Sequence, residues 1–407
     1  RLVQGDVGSG KTIVAFMCML FAIEDKSQVA FMAPTEVLAD QHFKSILNQA
    51  EKMNIKVSLL TGSTKEKDRK VLFKKLKNGD INILIGTHAL IENRVQFHRL
   101  GLVIIDEQHK FGVAQRAKLW SKKEELYPHV LVMTATPIPR TLALTLYGDL
   151  DVSVINELPM GRKKIITTHR NDNSRLKVFG FVKQTIETGG QVYIVYPLIE
   201  GSEKKDHKDL MDGFESLKRY FPNEQIGILH GRMKSENKDY EMKRFSNGTT
   251  KILVSTTVIE VGVDVPNASV IIIESAERFG LSQLHQLRGR VGRGDRQSYC
   301  ILMTKYDISS ESKERIKAMV SSSDGFKIAN MDLKLRGPGN MMGTKQSGLL
   351  ELRFVNLAED YKLIKKTREV ALNLIEDDEN LKKAENRNIL NYLKNKIKSN
   401  INWSRIS

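Results

Sequence analysis

The sequence predicts an α/β protein with two doubly wound parallel sheets and a helical region at the C-terminal end. Three observations support this fold class. Short runs of β-branched residues alternate with amphipathic stretches, which is the pattern of βαβ units. These runs are almost continuously apolar, as expected for strands that helices cover on both faces. The strand pattern restarts once, after a polar stretch at residues 157–164, and stops at residue 309.

The expected domains follow from these breaks in the pattern. We assign residues 1–157 to a first α/β domain, residues 158–308 to a second and residues 309–407 to the helical region. The length of 407 residues agrees with two or three domains of ordinary size. An apolar fraction of 41% is enough to form cores and excludes a disordered chain.

The strand candidates of the first domain are short apolar runs. Residues 2–4 have the composition of the end of a strand, and because the chain starts with Arg1 we expect it to continue a longer protein. The other candidates are residues 29–33, 57–60, 81–85, 102–105 and 130–134. Residues 66–77 are predicted to form a helix in which Val71, Leu72 and Leu76 make one apolar stripe.

The second domain repeats this pattern. Its strand candidates are residues 165–168, 192–195, 225–229, 252–255, 270–273 and 299–303. The charged stretch at residues 201–212 is expected to be a surface loop. Beyond residue 309, two helical patterns flank a glycine-rich loop at residues 336–340, and lysine-rich helices continue to the end.

The charge balance indicates a polyanionic partner. The chain has 64 Lys and Arg against 48 Asp and Glu, a formal net charge of +16. Cations that neutralise phosphates release condensed counterions, so nucleic acid is one interpretation of this excess. The alternative is that the lysines cover solvated helix faces.

The cysteines and the apolar runs argue against three other classes of protein. Cys18 and Cys300 lie far apart and have no Cys or His at ligand spacing, so we expect neither a disulfide framework nor a structural zinc, and both side chains are predicted to lie in the core. The longest apolar run, residues 12–23, is too short to span a bilayer. Because the start shows no signal-peptide pattern, a cytoplasmic protein is expected.

Residues 5–12 match the P-loop pattern G-x-x-x-x-G-K-[ST]. They lie between a predicted strand and an apolar helix, which is the context that this loop requires. Its glycines, Gly5, Gly8 and Gly10, would let the backbone N–H groups, including that of Ser9, surround phosphates. Lys11 would reach the β- and γ-phosphates, and Thr12 would ligate Mg²⁺. An ordinary glycine-rich turn is the alternative.

An acidic pair supplies the partner that a P-loop needs on the metal side. Asp106 and Glu107 directly follow the apolar run at residues 102–105. Asp106 would hold Mg²⁺, and Glu107 would polarise the attacking water. Acidic residues after a strand are common, so this assignment depends on the P-loop that precedes it.

Two further motifs distinguish a motor from a nucleotide switch. The hydroxyls of Thr134 and Thr136 could link the nucleotide site to a neighbouring surface, although a strand-end cap is the alternative. In the second domain, Gln286 is placed to contact the γ-phosphate, and Arg290 and Arg293 are predicted to stabilise the transition state across a cleft. Arg288 is instead expected to contact nucleic-acid phosphates.

Taken in this order, the motifs resemble those of superfamily-2 helicases. The resemblance implies two RecA-like, P-loop NTPase lobes with ATP and Mg²⁺ in the cleft between them, and it adds Asp264 to the nucleotide-binding residues. It also implies that the remaining short motifs contact nucleic acid or couple it to ATP, through Thr35, Gly62, Thr87, His88, Thr134, Thr136, His230 and Thr256.

Within that superfamily the chain resembles the RecG family. Residues 106–113, 136–145, 279–294 and 335–348 carry this similarity. The last stretch looks like the translocation motif, a helical hairpin plus loop that RecG shares with the transcription-repair coupling factor. Arg336 and Gln346 would then couple ATP hydrolysis to movement, whereas a terminal helical cap is the alternative. In the RecG family a wedge domain and an adenine-sensing Gln precede the P-loop; neither is among these 407 residues, which leaves branch selectivity open.

The resemblance implies an ATP-dependent translocase or helicase that acts on branched double-stranded DNA in recombination and repair. Replication-fork regression and Holliday-junction branch migration are the expected activities. Expected partners are duplex DNA, forks and Holliday junctions, with a single-stranded-DNA-binding protein as a further one. A monomer associated with the bacterial nucleoid is expected. The rivals are the motor of a coupling factor and a DNA-binding fragment without ATP turnover.

Overall fold

The structure is a computed structural model that describes residues 1–107, 128–135, 150–157, 159, 163–197, 203–256, 265–340 and 360–399. Within these ranges the chain forms two sheets, each with helices packed on it, and further helices on the C-terminal side. The predicted fold class is therefore confirmed. No helix in the described ranges is both long enough and apolar enough to cross a membrane.

The first sheet and its helices are called lobe 1. Its strands are β1 (Leu2–Gly5), β2 (Gln28–Met32), β3 (Val57–Leu60), β4 (Ile83–Gly86), β5 (Leu100–Asp106), β6 (His129–Thr134) and β7 (Val152–Ile155). They lie in the order β3-β4-β2-β5-β6-β1-β7, and the pairings are parallel. Its helices are α1 (Lys11–Glu24), α2 (Glu36–Ala50) and α3 (Glu66–Lys77).

The central strands of lobe 1 are apolar on both faces because both faces are covered. On β2, Val29 and Phe31 pack with Phe16 of α1 and Ile46 of α2. The alternate residues of β2 pack into a second cluster, on the other face of the sheet. On α3, Leu76 is buried as predicted, but Val71 is 53% exposed and lies outside the apolar stripe.

The second sheet and its helices are called lobe 2. Its strands are β8 (Ile166–Asn171), β9 (Gln191–Val195), β10 (Ile226–Leu229), β11 (Ile252–Ser255), β12 (Ala268–Ile273) and β13 (Tyr299–Thr304). They lie in the order β10-β11-β9-β12-β13-β8, again with parallel pairings. Its helices are α4 (Arg175–Glu187), α5 (Glu203–Tyr220), α6 (Ser235–Ser246) and α7 (Leu281–Arg288).

The C-terminal helices begin as an extension of lobe 2. They are α8 (Ser310–Ser321), α9 (Gly325–Asn340), α10 (Tyr361–Asp377) and α11 (Arg387–Ser399). Met319 of α8 and Ile328 of α9 share one apolar core with Leu284 and Leu287 of α7. Helices α7, α8 and α9 are therefore packed as one unit.

Two predicted loops are helical, and those predictions are wrong. Residues 203–212 belong to α5, in which Leu210, Phe214 and Leu217 are buried on one face. Burying such side chains contributes about 1.5–3 kcal/mol each, which outweighs the dense charge on the other face. Residues 336–340 continue α9. Upstream packing of that helix, by Ile328 and Leu333, overrides the low helix propensity of its last glycines.

One strand was not predicted. β7 (Val152–Ile155) has only four residues, all of intermediate burial, and among the described strands it pairs with β1 alone. Short edge strands lack the continuous apolar run that identifies a central strand. Of the two cysteines, Cys300 is buried as predicted, and Cys18 is partly buried against the core of lobe 1.

Candidate nucleotide and DNA site between the lobes

The polar residues singled out in lobe 1 gather at one edge of its sheet. The P-loop follows β1, and Ala135 follows β6. Asp106 is the last residue of β5, and Glu107 comes directly after it. β5, β6 and β1 are neighbours in the sheet. Because the strands are parallel, their carboxyl ends form one ligand-binding edge, as is general in open α/β sheets.

The P-loop glycines are required by the backbone. Gly8 (φ 73°) and Gly10 (φ 91°) occupy the left-handed region that side chains disfavour. A Cβ on Gly5 would lie 2.3 Å from the Ser9 Oγ. Gly10 is the N-cap of α1, so the first N–H groups of this helix have no carbonyl partner within the helix. Such an arrangement is suited to binding phosphate.

Lys11 is held inside this loop. Its Nζ donates to the carbonyl oxygens of Gly5 at 2.7 Å and of Asp6 at 2.8 Å. Burial lowers the pKa of Lys11, and the charges of nearby Glu107 and Asp106 oppose that effect. Since an ammonium has three donors, one remains for a phosphate oxygen.

Asp106 is fixed by two contacts. Its Oδ2 lies 2.9 Å from the Nε2 of His42, and its Oδ1 accepts the Glu107 N–H at 3.1 Å. His42 comes from α2 and stacks at a tilt on Phe31, with ring centroids 4.7 Å apart. His42 was not identified from the sequence. Its signal is a polar residue on the buried helix face that also carries Ile46.

Glu107 has an unusual backbone and an unusual acidity. Its φ of 51° is left-handed, and its Oε2 accepts the Ala135 N–H at 3.4 Å. Burial and the charge of Asp106 raise the pKa of Glu107 to about 7, although Lys11, the Ala135 N–H and Arg290 act against that rise. A carboxylate with this pKa is suited to general-base chemistry near neutral pH.

Lobe 2 places its arginines against these groups. Arg290 is 4% exposed, and its charge acts on Glu107 across the cleft. Arg293, which is half-buried, lies near enough to Lys11 that repulsion between the two cations helps to lower the pKa of Lys11. Gln286 is half-buried on α7, one turn before Arg290. The geometry therefore brings lobe 2 cations to the P-loop and to the acidic pair.

Arg288 has a structural role, and the prediction that it contacts nucleic acid is wrong. The side chain is 2% exposed. Its guanidinium donates to the carbonyl oxygens of Met319 at 3.0 Å, Ser322 at 2.7 Å and Ser323 at 3.2 Å, and to the His285 Nδ1 at 2.9 Å. These bonds satisfy carbonyls at the end of α8, where no further helical donor exists.

Two contacts join the lobes beside the P-loop. The Nε2 of His285, on α7, lies 2.7 Å from the Oδ1 of Asp6. Gly289 packs so closely that a Cβ there would lie 2.8 Å from a methyl carbon of Val7. Neither Asp6 nor His285 was identified from the sequence, because a contact between residues 279 positions apart leaves no local pattern.

The donor set of the site fits Mg²⁺. Within the described parts of the chain, no group of three or more His, Cys, Asp or Glu side chains could hold a metal ion. Asp106 and the hydroxyl of Thr12 are the oxygen groups that would hold the ion. Mg²⁺ is commonly bound by one or two protein oxygens together with waters and phosphates, so this small set is adequate.

The residues predicted to contact DNA in lobe 1 lie on the same edge. Thr35 is the N-cap of α2, its hydroxyl accepting the Leu38 N–H at 3.3 Å. Gly62 is exposed, and Thr87 is 2% exposed while His88 is open to solvent.

Glu36 connects the start of α2, next to Thr35, with the loop that contains Gly62. Its carboxylate accepts the Ser63 N–H at 3.1 Å and the Ser63 hydroxyl at 2.8 Å. The loop that contains Gly62 is therefore fixed to the start of α2.

The predicted coupling residues are described in part. Thr134 and Thr256 are buried at the ends of β6 and β11, and His230 is half-buried after β10. Arg336 lies in α9. Thr136, Asp264 and Gln346 lie outside the described residues.

Three family models match successive parts of the chain. Residues 1–145 match DEAD/DEAH box helicase, and residues 176–295 match Helicase conserved C-terminal domain. Residues 322–407 match ATP-dependent DNA helicase RecG, domain 3, C-terminal. The first two models agree with the two lobes, and the third covers most of the C-terminal helices.

Curated relatives include the ATP-dependent DNA helicase RecG of three bacteria. That of Synechocystis sp. is 53% identical over 94% of this chain and 46% of its own length. That of Aquifex aeolicus is 50% identical over 94% of this chain and 49% of its own length. That of Bacillus subtilis is 50% identical over 93% of this chain and 55% of its own length. The chain thus spans about half the length of the curated relatives it matches.

Solved structures give the same result. A structure of RecG bound to a three-way DNA junction superposes with a TM-score of 0.74 and 46% identity, over 90% of this chain and 47% of that one. S. cerevisiae Dbp5 bound to RNA and ADP BeF3 gives a TM-score of 0.56 at 18% identity, over 91% of this chain and 88% of that one, which supports the fold alone.

Proposed function

This chain belongs to the RecG helicases, whose C-terminal part it spans, and on that premise we propose that it is an ATP-driven motor that moves along double-stranded DNA. In this motor, residues 1–157 and 158–308 are the two moving lobes, and residues 309–407 transmit their movement. The observation that carries the proposal is the close packing of lobe 2 on the P-loop, where Gly289 lies against Val7. This packing brings Arg290 near the carboxylate of Glu107, and Arg293 near Lys11.

The same groups can carry out ATP hydrolysis. The P-loop N–H groups and Lys11 bind the phosphates, and Glu107 orients a water and accepts its proton. The arginines of lobe 2 stabilise the charge that spreads over the transferred phosphoryl group. Because the two halves of this site lie on different lobes, hydrolysis is fastest when the cleft is closed, and product release allows it to open.

The proposed metal is Mg²⁺, held by Thr12 and Asp106. When bound, it neutralises charge on the β- and γ-phosphates. The chain's own contribution is to fix the Asp106 carboxylate, which the 2.9 Å contact with His42 does from α2. Asp264 would contribute to nucleotide binding from lobe 2.

Coupling to DNA is proposed to start at α2. Thr35 caps the N-terminal end of this helix, and His42 on the same helix contacts Asp106. A DNA strand lying across Thr35, Gly62 and His88 would therefore act on the metal ligand through one rigid element. Thr134, Thr136, His230 and Thr256 would link the strand to the cleft, and Arg336 and Gln346 would pass the movement to the duplex.

The proposed substrates are branched DNA molecules. The RecG structure with which this chain superposes is bound to a three-way junction. By that relationship we propose replication-fork regression and Holliday-junction branch migration, in recombination and repair, as the activities of the protein to which these residues belong. Association with the bacterial nucleoid, a monomeric state and contact with a single-stranded-DNA-binding protein complete the proposal.

Two other functions are less well supported. The motor of a transcription-repair coupling factor would share the C-terminal motif, but residues 322–407 match a RecG model and the three curated relatives are RecG proteins. A DNA-binding fragment without turnover would not need Lys11, Glu107, Arg290 and Arg293 assembled in one cleft.

The proposal is tested by ATP hydrolysis with and without nucleic acid. ATPase activity is measured with single-stranded, duplex and forked DNA, for the chain and for Lys11→Ala. Stimulation by duplex or forked DNA that is lost in Lys11→Ala supports the proposal. An ATPase rate that DNA does not change, or a rate that is retained in Lys11→Ala, contradicts it.

A further inference from the structure

A chain of hydrogen bonds runs from the P-loop into lobe 2. The Asp6 Oδ1 lies 2.7 Å from the His285 Nε2, and the His285 Nδ1 lies 2.9 Å from the Arg288 guanidinium. The same Asp6 Oδ1 accepts the Val7 N–H at 2.7 Å. One carboxylate oxygen therefore holds the turn of the P-loop and the helix α7 of the opposite lobe.

The bonding partners determine the tautomer of His285. A guanidinium can only donate, so the Nδ1 that faces Arg288 must be an acceptor. The proton of the neutral ring then lies on Nε2, which donates to the Asp6 carboxylate. The side chain is 4% exposed, so water cannot easily replace either bond.

These hydrogen bonds lie where they can set the position of Arg290 and Arg293. Arg288 is anchored by three carbonyls at the end of α8, and α7 ends at this residue. Gly289 then passes against Val7, and Arg290 follows. On the other side, Asp6 offers its backbone carbonyl to Lys11 Nζ at 2.8 Å. Asp6 and His285 thus connect the P-loop, which holds Lys11, to the segment of lobe 2 that carries Arg290.

We propose that Asp6 and His285 form a positioning pair, which fixes lobe 2 against the P-loop so that Arg290 and Arg293 reach the phosphates held by Lys11. This role rests on the proposed ATPase function. The acidity of Asp6 supports the pair: burial raises the pKa of Asp6, but the hydrogen bond of His285, the Val7 N–H and the charge of Arg288 lower it further, to below the ordinary value. Ionised Asp6 is the form that accepts the His285 N–H.

The test compares four replacements at two positions. His285→Leu and His285→Asn each break the link, because Leu lacks polar atoms and Asn is too short to bridge Asp6 and Arg288. His285→Gln keeps it, since the amide N–H can donate to Asp6 and the amide oxygen can accept from Arg288. Asp6→Ala removes the opposite partner. His129→Leu, at the exposed start of β6, is the matched control.

The expected result is a loss in kcat rather than in KM for ATP. His285→Leu, His285→Asn and Asp6→Ala should each lower the DNA-stimulated kcat roughly 10- to 100-fold, because misplacement by about 1 Å has this effect. His285→Gln should recover most of the rate. The double variant Asp6→Ala/His285→Leu should be no slower than the slower single variant, since both remove one interaction. Three results would contradict the proposed pair. They are a loss of kcat in the double variant equal to the product of the two single losses, a His285→Gln variant as slow as His285→Leu, and a change confined to KM.

A second measurement separates this pair from the proposed function. Dyes at Lys77→Cys in lobe 1 and Lys183→Cys in lobe 2, in a Cys18→Ser background, report the distance between the lobes by energy transfer. His285→Leu should change the mean or the width of the distance distribution, while His285→Gln and His129→Leu should not. An unchanged distribution in His285→Leu contradicts the pair, even if the chain showed no DNA-stimulated ATPase.

Discussion

At the scale of single residues, Glu107 shows how the fold prepares a side chain for chemistry. Its left-handed backbone is strained for a residue with a side chain, and strain of this kind is concentrated at functional sites. The turn presents the carboxylate to the Ala135 N–H and to the cleft. Burial beside Asp106 then raises the pKa of Glu107 to about 7.

This pKa predicts the pH dependence of the reaction. Below pH 7, kcat should rise about tenfold per pH unit, because only the ionised carboxylate can accept a proton from water. The rate should level off above pH 7, and Glu107→Gln should have no measurable rate at any pH. The measurement is a pH–rate profile at saturating ATP and DNA. A rate that is already constant from pH 5 upward would contradict the role of Glu107.

The same pKa predicts an effect on stability. A carboxyl group whose folded pKa is raised favours folding at low pH, and this contribution is lost as pH rises from about 4.5 to about 7. Glu107→Gln should therefore increase the free energy of unfolding at pH 8, by on the order of 1 kcal/mol or more, and change it least at pH 4. Urea unfolding at both pH values measures this difference. A less stable variant at pH 8 would be the contrary result.

The cleft arginines predict a defect in chemistry rather than in binding. Arg290→Ala and Arg293→Ala should each lower kcat roughly 1,000-fold. Arg→Lys should restore little, because the planar guanidinium fork is lost. Arg296→Ala is the control, since this side chain bonds the Thr188 carbonyl on the surface of lobe 2. A defect found only in DNA affinity would mean that these residues contact DNA phosphates instead.

At the scale of elements, α2 joins the end proposed to contact DNA to Asp106, the proposed Mg²⁺ ligand, through His42. His42→Ala should lower activity about 10- to 100-fold and raise the Mg²⁺ concentration needed for half-maximal rate, as is typical when the partner of a metal ligand is removed. His98→Ala, an exposed histidine of lobe 1, is the control. Mg²⁺ titrations of ATPase activity measure the effect. An unchanged Mg²⁺ requirement in His42→Ala would contradict it.

The elements also show what can be predicted from this sequence. The helix at residues 66–77 and the central strands were predictable because periodicity and burial agree. The end of α9 was not, because its packing upstream overrides the glycines at residues 337 and 339.

The site divides in the same way. The P-loop and the acidic pair are contiguous motifs that a sequence displays. His42, Asp6 and His285 work through contacts across 64 and 279 positions, which only the tertiary structure brings together. The buried position of Arg288 is of the same kind, since its three carbonyl partners lie in the last turn of α8 and in the two residues that follow it.

At the scale of the whole molecule, the net charge of +16 predicts how DNA is bound. If the excess lysines and arginines contact phosphates, log affinity for duplex DNA should fall linearly and steeply with log salt concentration, with little sequence preference. Fluorescence anisotropy with two unrelated duplexes, over a range of salt concentrations, measures both properties. An affinity that does not change with salt concentration would mean that the excess lysines and arginines lie on solvated helix faces instead.

The central claim is that closure of the cleft on ATP moves the two lobes along duplex DNA. The most direct measurement is displacement of a third strand from a triplex by the protein, followed together with ATP hydrolysis in the same reaction. We expect the chain to displace the strand only while it hydrolyses ATP, and Lys11→Ala and Glu107→Gln to bind the duplex but displace nothing. Hydrolysis stimulated by duplex DNA without displacement, or displacement by Glu107→Gln, would contradict this claim.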